Sequence, residues 1–377
     1  MLLFNTLTKK KEKLKTFQEK KVQLYVCGIT PYDTTHLGHA FLYIFFDVFY
    51  RYLIHKGYDV NYVQNVTDID DDILKRANEE KRDWKELGNY WTKEFLDDYK
   101  SLNMIMPTHY VKATETMDTI ITMIRGLEQK GFTYIKDKNV YFQISKFSRY
   151  GELSGLGKAE MLKLAQERGG NPDDPCKKDP LDFILWQHSK KGEPQWESPW
   201  GAGRPGWHIE CSAMSYKYLG SQIDIHGGGY DLIFPHHESE IAQTESYTGK
   251  SPFVRYWVHA AMLEYKGEKM SKSLGNMVFI SDLLKKYSPN TIRWVLLSHH
   301  YRKEWGFAMN ELDEAEKTMG VLQKKTTQKK EGDIRKIENF LENDMDIPNA
   351  LDYIRKEMGG ETLQQALTLF GFASFAS

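Results

Sequence analysis

The sequence predicts an α/β fold: a Rossmann-like parallel sheet carrying an insertion, followed by a short helical C-terminal region. Three observations carry that expectation. Residues 22–30, VQLYVCGIT, read as a buried strand. The run PYDTTHLGHAFLYIFFDVFYRYLIHKG then turns and enters a helix of closely repeated apolar residues, which Gly57 stops before a second strand at 58–66. A strand–glycine turn–helix pattern returns at 222–240. Strand, helix and strand with a long crossover open a parallel sheet, whose ligands sit beyond the carboxyl ends of its strands.

The remaining elements follow in order. Residues 68–135 read as helical. Residues 136–200 are irregular, with short strands near 139–144 and many Gly, Pro and Asp, and form part of an insertion at about 110–205. A helix is expected at 208–219, a strand at 222–226, and a further helix from Pro235. Residues 256–310 hold a lysine-rich loop and a helix near 290–298, and the tail 311–377 is charged and helical with a polar break near 325–332. The expected domains are therefore 1–255, 256–310 and 311–377.

Composition bounds the function. At 377 residues, with 41% hydrophobic and 13% aromatic residues, the chain has ordinary globular material for two or three subdomains. No stretch of about 18 consecutive apolar residues reads as a membrane span, and the first residues lack the pattern of a secretory signal. Three scattered cysteines cannot build a disulfide framework and suit a reducing, cytoplasmic setting; separately, a monomer is expected. A net charge of −1 gives no bulk attraction for nucleic acid, which leaves local basic patches as the electrostatic route.

Two short motifs point to nucleotide chemistry. HLGH at 36–39 lies where the first strand feeds a helix, whose N-terminus offers free N–H groups and a positive dipole end to phosphate. His36 and His39 can donate to phosphate oxygens as charge builds, and Gly38 lets an adenine approach the backbone. KMSKS at 269–273 places Lys269 and Lys272 in a loop bounded by Gly267 and Gly275, able to close over pyrophosphate. GGGYD at 227–231 adds Gly227, Gly228, Gly229 and Asp231 for ribose and adenine. Jointly they imply attack of a carboxylate on the α-phosphorus of ATP, used with Mg(2+).

Four residues suit a metal. Cys27 ends the first strand, Cys211 follows Trp207 by four, and His236 and Glu240 stand i, i+4 on one helical face. Two thiolates, an imidazole and a carboxylate suit one zinc, which binds a substrate thiolate and takes a hydroxyl poorly. His237 competes with His236, and the i, i+4 relation favours His236. Cys176, in a polar run, reads as an exposed thiol.

YVCGITPYD, HLGH, NVTDIDD, GAGRPGWHIECSAM, DIHGGGYDLIFPHHESEIAQ and KMSKSLGN together resemble the class I cysteinyl-tRNA synthetases over roughly residues 20–310. The resemblance implies that family's Rossmann-like sheet, zinc on Cys27, Cys211, His236 and Glu240, and ATP held by Lys272. It also implies a substrate pocket of Cys27, Gly28, Thr30, Thr67, Trp207 and His226, and a 256–310 segment touching the acceptor stem. L-cysteine, ATP and tRNA(Cys) are the expected partners. The chain also resembles the sister ligase that joins cysteine to glucosaminyl-inositol in mycothiol biosynthesis, through TPYDTTHLGHA, HYVKATE and ERGGNP at 167–172. The short C-terminal region, without a separate anticodon-binding module, fits that ligase, whereas Glu240 and His226 match the tRNA enzymes.

Overall fold

The computed structural model describes residues 1–270, 275–329 and 331–374, with Lys269 described in its backbone only. Its centre is a five-stranded sheet in the order Val254–Ala260, Ile223–Gly229, Lys21–Ile29, Asp59–Val66, His109–Lys112, with every neighbouring pair parallel. The chain builds outward from Lys21–Ile29 to one side, then returns about 110 residues later to build the other side. The switch point therefore lies between Lys21–Ile29 and Ile223–Gly229, and the carboxyl ends of those strands open a crevice there.

Alternation along Lys21–Ile29 sends its side chains to two different cores. Leu24 and Val26 join a cluster with the helix Leu37–His55 and the C-terminal helices. Tyr25 and Cys27 join the opposite cluster, with the helices Met117–Gln129, Trp207–Leu219 and Glu238–Thr248. Both faces are covered, as a parallel sheet requires. Leu37–His55 is long and apolar enough to cross a membrane by composition, but 72% of its apolar window is buried inside the protein, as in a core helix.

Three features depart from the expected elements. His109–Lys112 lies within the supposed helical stretch yet pairs with Asp59–Val66 as the sheet edge, because pairing with a preformed strand outweighs weak local preference. The irregular region contains a four-stranded antiparallel sheet of Thr133–Lys136, Asn139–Phe142, Phe183–His188 and Gly203–Pro205, with the helix Lys158–Glu167. An unanticipated hairpin, Leu2–Asn5 with Lys10–Lys13, opens the chain.

The tail forms four helices, Asn310–Lys325, Ile334–Leu341, Ile347–Glu357 and Gly360–Leu369. They share one core with Leu37–His55, running from Leu3 to Phe372. Two buried carboxylates fasten this arrangement. Asp47 accepts Arg293 Nη2 at 2.6 Å, and the same guanidinium donates to the carbonyls of Leu102 and Phe370. Asp344 accepts Tyr301 Oη, Arg302 Nε and the Phe4 amide at 2.7, 2.8 and 2.8 Å.

Candidate functional site

A cavity of about 580 Å³ opens at the switch point. Twelve of the residues singled out in the sequence line it: Cys27, Gly28, Thr30, His36, Gly38, His39, Thr67, Trp207, Cys211, Gly229, Asp231 and His236. They come from the first strand and its following turn, the end of Asp59–Val66, the start of Trp207–Leu219 and the turn after Ile223–Gly229.

At one end, His36 is the N-cap of Leu37–His55, and its Nδ1 accepts the amide of His39 at 3.3 Å. The two imidazoles stack, with centroids 3.6 Å apart. Gly38 makes room for this fold-back, because a Cβ there would stand 3.1 Å from the His36 ring. The lysine loop is brought to the same end by backbone pairing. Leu37 N donates to Val278 O at 2.8 Å and Ile280 N to Thr35 O at 3.0 Å, so the chain on the loop's far side is zipped to the histidine motif. Met270 and Met277 line the cavity from either side of the loop. Lys272 lies outside the described residues, and Lys269 is described only as part of the strand Glu268–Lys269.

At the other end, buried donors converge. Cys27 Sγ stands 3.9 Å from Cys211 Sγ, 3.8 Å from Glu240 Oε1 and 3.3 Å from His237 Nε2. His236 Nε2 is 3.2 Å from Glu240 Oε1. Cys27, His236, His237 and Glu240 each present a donor atom within 4.8 Å of the others. The inclusion of His237 corrects the helical-face argument that favoured His236 alone. Residues Ile233–His237 form a wide turn in which Phe234 is extended (φ −133°, ψ 135°), so regular helical phasing begins only afterwards and both histidines reach Glu240.

An outer layer holds these donors. His226 Nε2 lies 3.0 Å from Glu240 Oε2, and His208 Nδ1 lies 3.0 Å from His236 Nδ1. His237 Nδ1 lies 2.8 Å from His259 Nε2, whose Nδ1 meets Thr6 Oγ1 at 2.8 Å. The Trp207 ring stacks on His236 with centroids 4.3 Å apart. Burial drives every charged form out: it raises the Cys27 thiol and the Glu240 carboxyl and lowers His236 and His237. His226, His208 and His259 fall to about 3 for the same reason. A buried dication reverses this logic for the thiols and carboxyl while wanting its imidazoles neutral. The donor chemistry therefore fits a metal.

Among the described residues four expected contacts lie outside the cavity lining: Glu240, His226, Gly227 and Gly228. His226 is buried behind Glu240, stacked on Trp257 at 4.6 Å, where it orients the carboxylate. Gly227 sits under Phe46, with room for no Cβ, and Gly228 against His237. Both glycines are required by packing. Sequence reasoning named His237 only as a competitor of His236, and missed His259, Thr6 and Asn65. Asn65 Oδ1 accepts the Gly28 amide at 2.8 Å and its Nδ2 reaches Thr67 Oγ1 at 3.3 Å, tying the two strand ends that border the cavity.

Residues 13–317 match the family model for the tRNA synthetases class I (C) catalytic domain. The chain belongs to that family. It is 51% identical over 320 residues to a cysteine–tRNA ligase of Thermococcus onnurineus, covering 85% of this chain and 66% of that protein. It is 51% identical over 300 residues to one of Methanococcus maripaludis, covering 80% and 62%. The chain thus spans slightly under two thirds of the length of these relatives. A Mycobacterium tuberculosis methionyl-tRNA synthetase bound by methionyl-adenylate shares the fold, with a TM-score of 0.69 at 14% identity over 93% of this chain and 84% of that one.

Proposed function

We propose that this chain activates L-cysteine with ATP to cysteinyl adenylate and transfers the cysteinyl group to tRNA(Cys), acting as a cytoplasmic monomer. The observation that carries the reading is one cavity bounded by a sulfur-rich donor cluster at one end and the stacked His36–His39 pair at the other. The strong likeness to cysteine–tRNA ligases over the catalytic portion supports it.

Cys27, Cys211, His236 and Glu240 are the residues that hold one zinc, with His237 at hydrogen-bond distance behind Cys27. Bound there, zinc supplies a soft Lewis-acid seat that prefers a thiolate to a hydroxyl. Trp207 and Thr67 wall the amino acid so that its carboxylate faces the nucleotide. His36 and His39 donate to the α-phosphate as the carboxylate oxygen bonds to phosphorus and pyrophosphate leaves, with Lys269 and Lys272 drawing off its charge. ATP enters as its Mg(2+) complex, its ribose side toward Gly229 and Asp231. The terminal adenosine hydroxyl of tRNA then attacks the acyl carbon and AMP departs, a step that needs positioning more than a strong base.

The test is cysteine-dependent ATP–pyrophosphate exchange by the purified chain, followed by offering tRNA(Cys) or glucosaminyl-inositol to the adenylate. Exchange with charging of tRNA is expected. No exchange refutes the adenylation reading, and efficient transfer to the amino sugar with tRNA left uncharged refutes the acceptor.

A further inference from the structure

The ERGGNP run at 167–172 is a motif that no step of the proposed reaction uses. Arg168 caps the helix Lys158–Glu167 in the insertion, and its side chain leaves that helix for the cavity's back wall. There Nη1 donates to the carbonyl of Asp231 at 2.5 Å and to the carbonyl of Phe234. Among the described residues no carboxylate stands within ion-pair distance of Arg168, so the guanidinium is committed to these two carbonyls.

The Asp231 carbonyl lies in the short turn Tyr230–Leu232 and the Phe234 carbonyl in the wide turn that follows it, and together these consecutive turns join the sheet to the helix Glu238–Thr248. The extended Phe234 interrupts the ladder, and the amide of Glu238 reaches Ile233 O and Pro235 O, passing over Phe234 O. Phe234 is buried, so water offers no substitute partner. Asp231, which lines the cavity, precedes Phe234 by three residues, and His236 follows it by two. Opening these turns shifts both.

We propose that Arg168 is a positioning residue for the nucleotide and metal ends of the cavity, delivered by the insertion to hold together the consecutive turns that carry Asp231 and His236. The proposal rests on the reading of the cavity as an ATP and metal site. The insertion also grips the neighbouring helix farther along. Glu238 accepts the amides of Leu153 and Ser154 at 3.4 and 2.9 Å, Tyr150 Oη meets Ser239 Oγ at 3.1 Å, and Arg149 pairs with Glu245. The Arg149 grip lies beyond the ligands and serves as an internal control.

The experiment compares Arg168→Ala, Arg168→Lys and Arg149→Ala in the full chain. It reads ATP KM and kcat in cysteine-dependent exchange, the rate of zinc release to a chelator, and the melting midpoint. Arg168→Ala is expected to raise ATP KM and speed zinc release by about 10-fold each, the scale for residues that orient ligands from behind. Arg168→Lys, whose single nitrogen carries several N–H donors, recovers most of both. Arg149→Ala lowers the midpoint but keeps both readouts within about 2-fold. Where Arg168→Ala is too unstable to purify, Arg168→Gln is held to the same criteria. Wild-type KM and zinc release in the Arg168 variant overturn the proposal, as does an Arg149→Ala that reproduces its changes or an Arg168→Lys no better than alanine. Should the wild type show no exchange, the reading of the site fails, while the zinc-release comparison still decides the role of Arg168.

Discussion

Gly28 to alanine is the smallest change that strikes both ends of the cavity. Gly28 occupies the register shift between Val26 and Ile29 where Lys21–Ile29 meets Asp59–Val66. A Cβ built there falls 1.5 Å from the carbonyl oxygen of Asn65 and 2.6 Å from its carbon. Ordinary contact needs roughly 3.2–3.5 Å, so the strands must part by about 2 Å, and the obstacle is backbone, which cannot swing aside. The same movement strains the Gly28 amide bond to Asn65 Oδ1 at 2.8 Å. Cys27, one residue earlier, moves with it. Metal sites tolerate about 0.2 Å in ligand position, and a 1 Å misplacement costs about 10²-fold in rate. The variant should therefore lose most of its zinc, drop about 10²-fold in pyrophosphate exchange, and lose about 1–3 kcal/mol of stability from overpacking. Metal analysis, exchange kinetics and denaturant unfolding read these in turn. A Gly28→Ala protein with full zinc and wild-type exchange would show that the strand ends yield without disturbing Cys27, which refutes the reasoning.

Three further outcomes follow. Arg293→Met should destabilise the fold by about 3–4 kcal/mol, because it strands the buried Asp47 carboxylate with only the Ile105 amide and Arg51; an unchanged unfolding midpoint would deny the pair its role. Asp70 caps the helix Asp71–Glu80, and burial lifts its carboxyl from 3.8 to about 6. Its contribution to stability is therefore fully present below pH 3.8 and lost as pH rises through about 6, so Asp70→Asn should gain about 1–2 kcal/mol at pH 8 and nothing near pH 3.5; an equal gain at both pH values would exclude a charge effect. Serine should be activated at least about 10³-fold less efficiently than cysteine, since an oxygen in place of sulfur loses a metal bond rather than a packing contact, and comparable exchange with both would mean that the metal does not read the side chain.

What the sequence shows and hides has a physical pattern. Periodicity marked Lys21–Ile29, Leu37–His55 and Asp59–Val66 because each has a long apolar signal of its own. His109–Lys112 was hidden because four residues carry little signal and a neighbouring strand decides their conformation. Cys27, Cys211, His236 and Glu240 were proposed from their chemistry; the structure groups Cys27, His236 and Glu240 with His237, and sets Cys211 Sγ 3.9 Å from Cys27 Sγ. His237 was ranked below His236, because an ideal helix was assumed where the chain makes a wide turn. His259 stands on a strand with nothing local to mark it, and Thr6 lies in the turn of a hairpin that was not anticipated. The shared core of the tail and Leu37–His55 was equally illegible, since Arg293 and Asp47 meet across 246 residues.

The two ends of the cavity are also mechanically one unit. Cys27 and His36 lie nine residues apart on a single strand and its following turn, and Asn65 fixes that strand's end to Thr67. On the opposite bank, Asp231 and His236 lie on consecutive turns bridged from behind by Arg168. On the proposed reading each bank contributes one group toward nucleotide and one toward metal, and neither end moves alone. Under that proposal the coupling matters for a substrate as short as cysteine, whose thiol and carboxylate are separated by only a few bonds. A seat for the thiol fixes where the carboxylate lies, so discrimination at the metal becomes discrimination in the reaction only if the distance to the α-phosphate is rigid. Two short backbone segments, each carrying both functions and each clamped by a side chain from a neighbouring element, supply that rigidity without a larger binding surface.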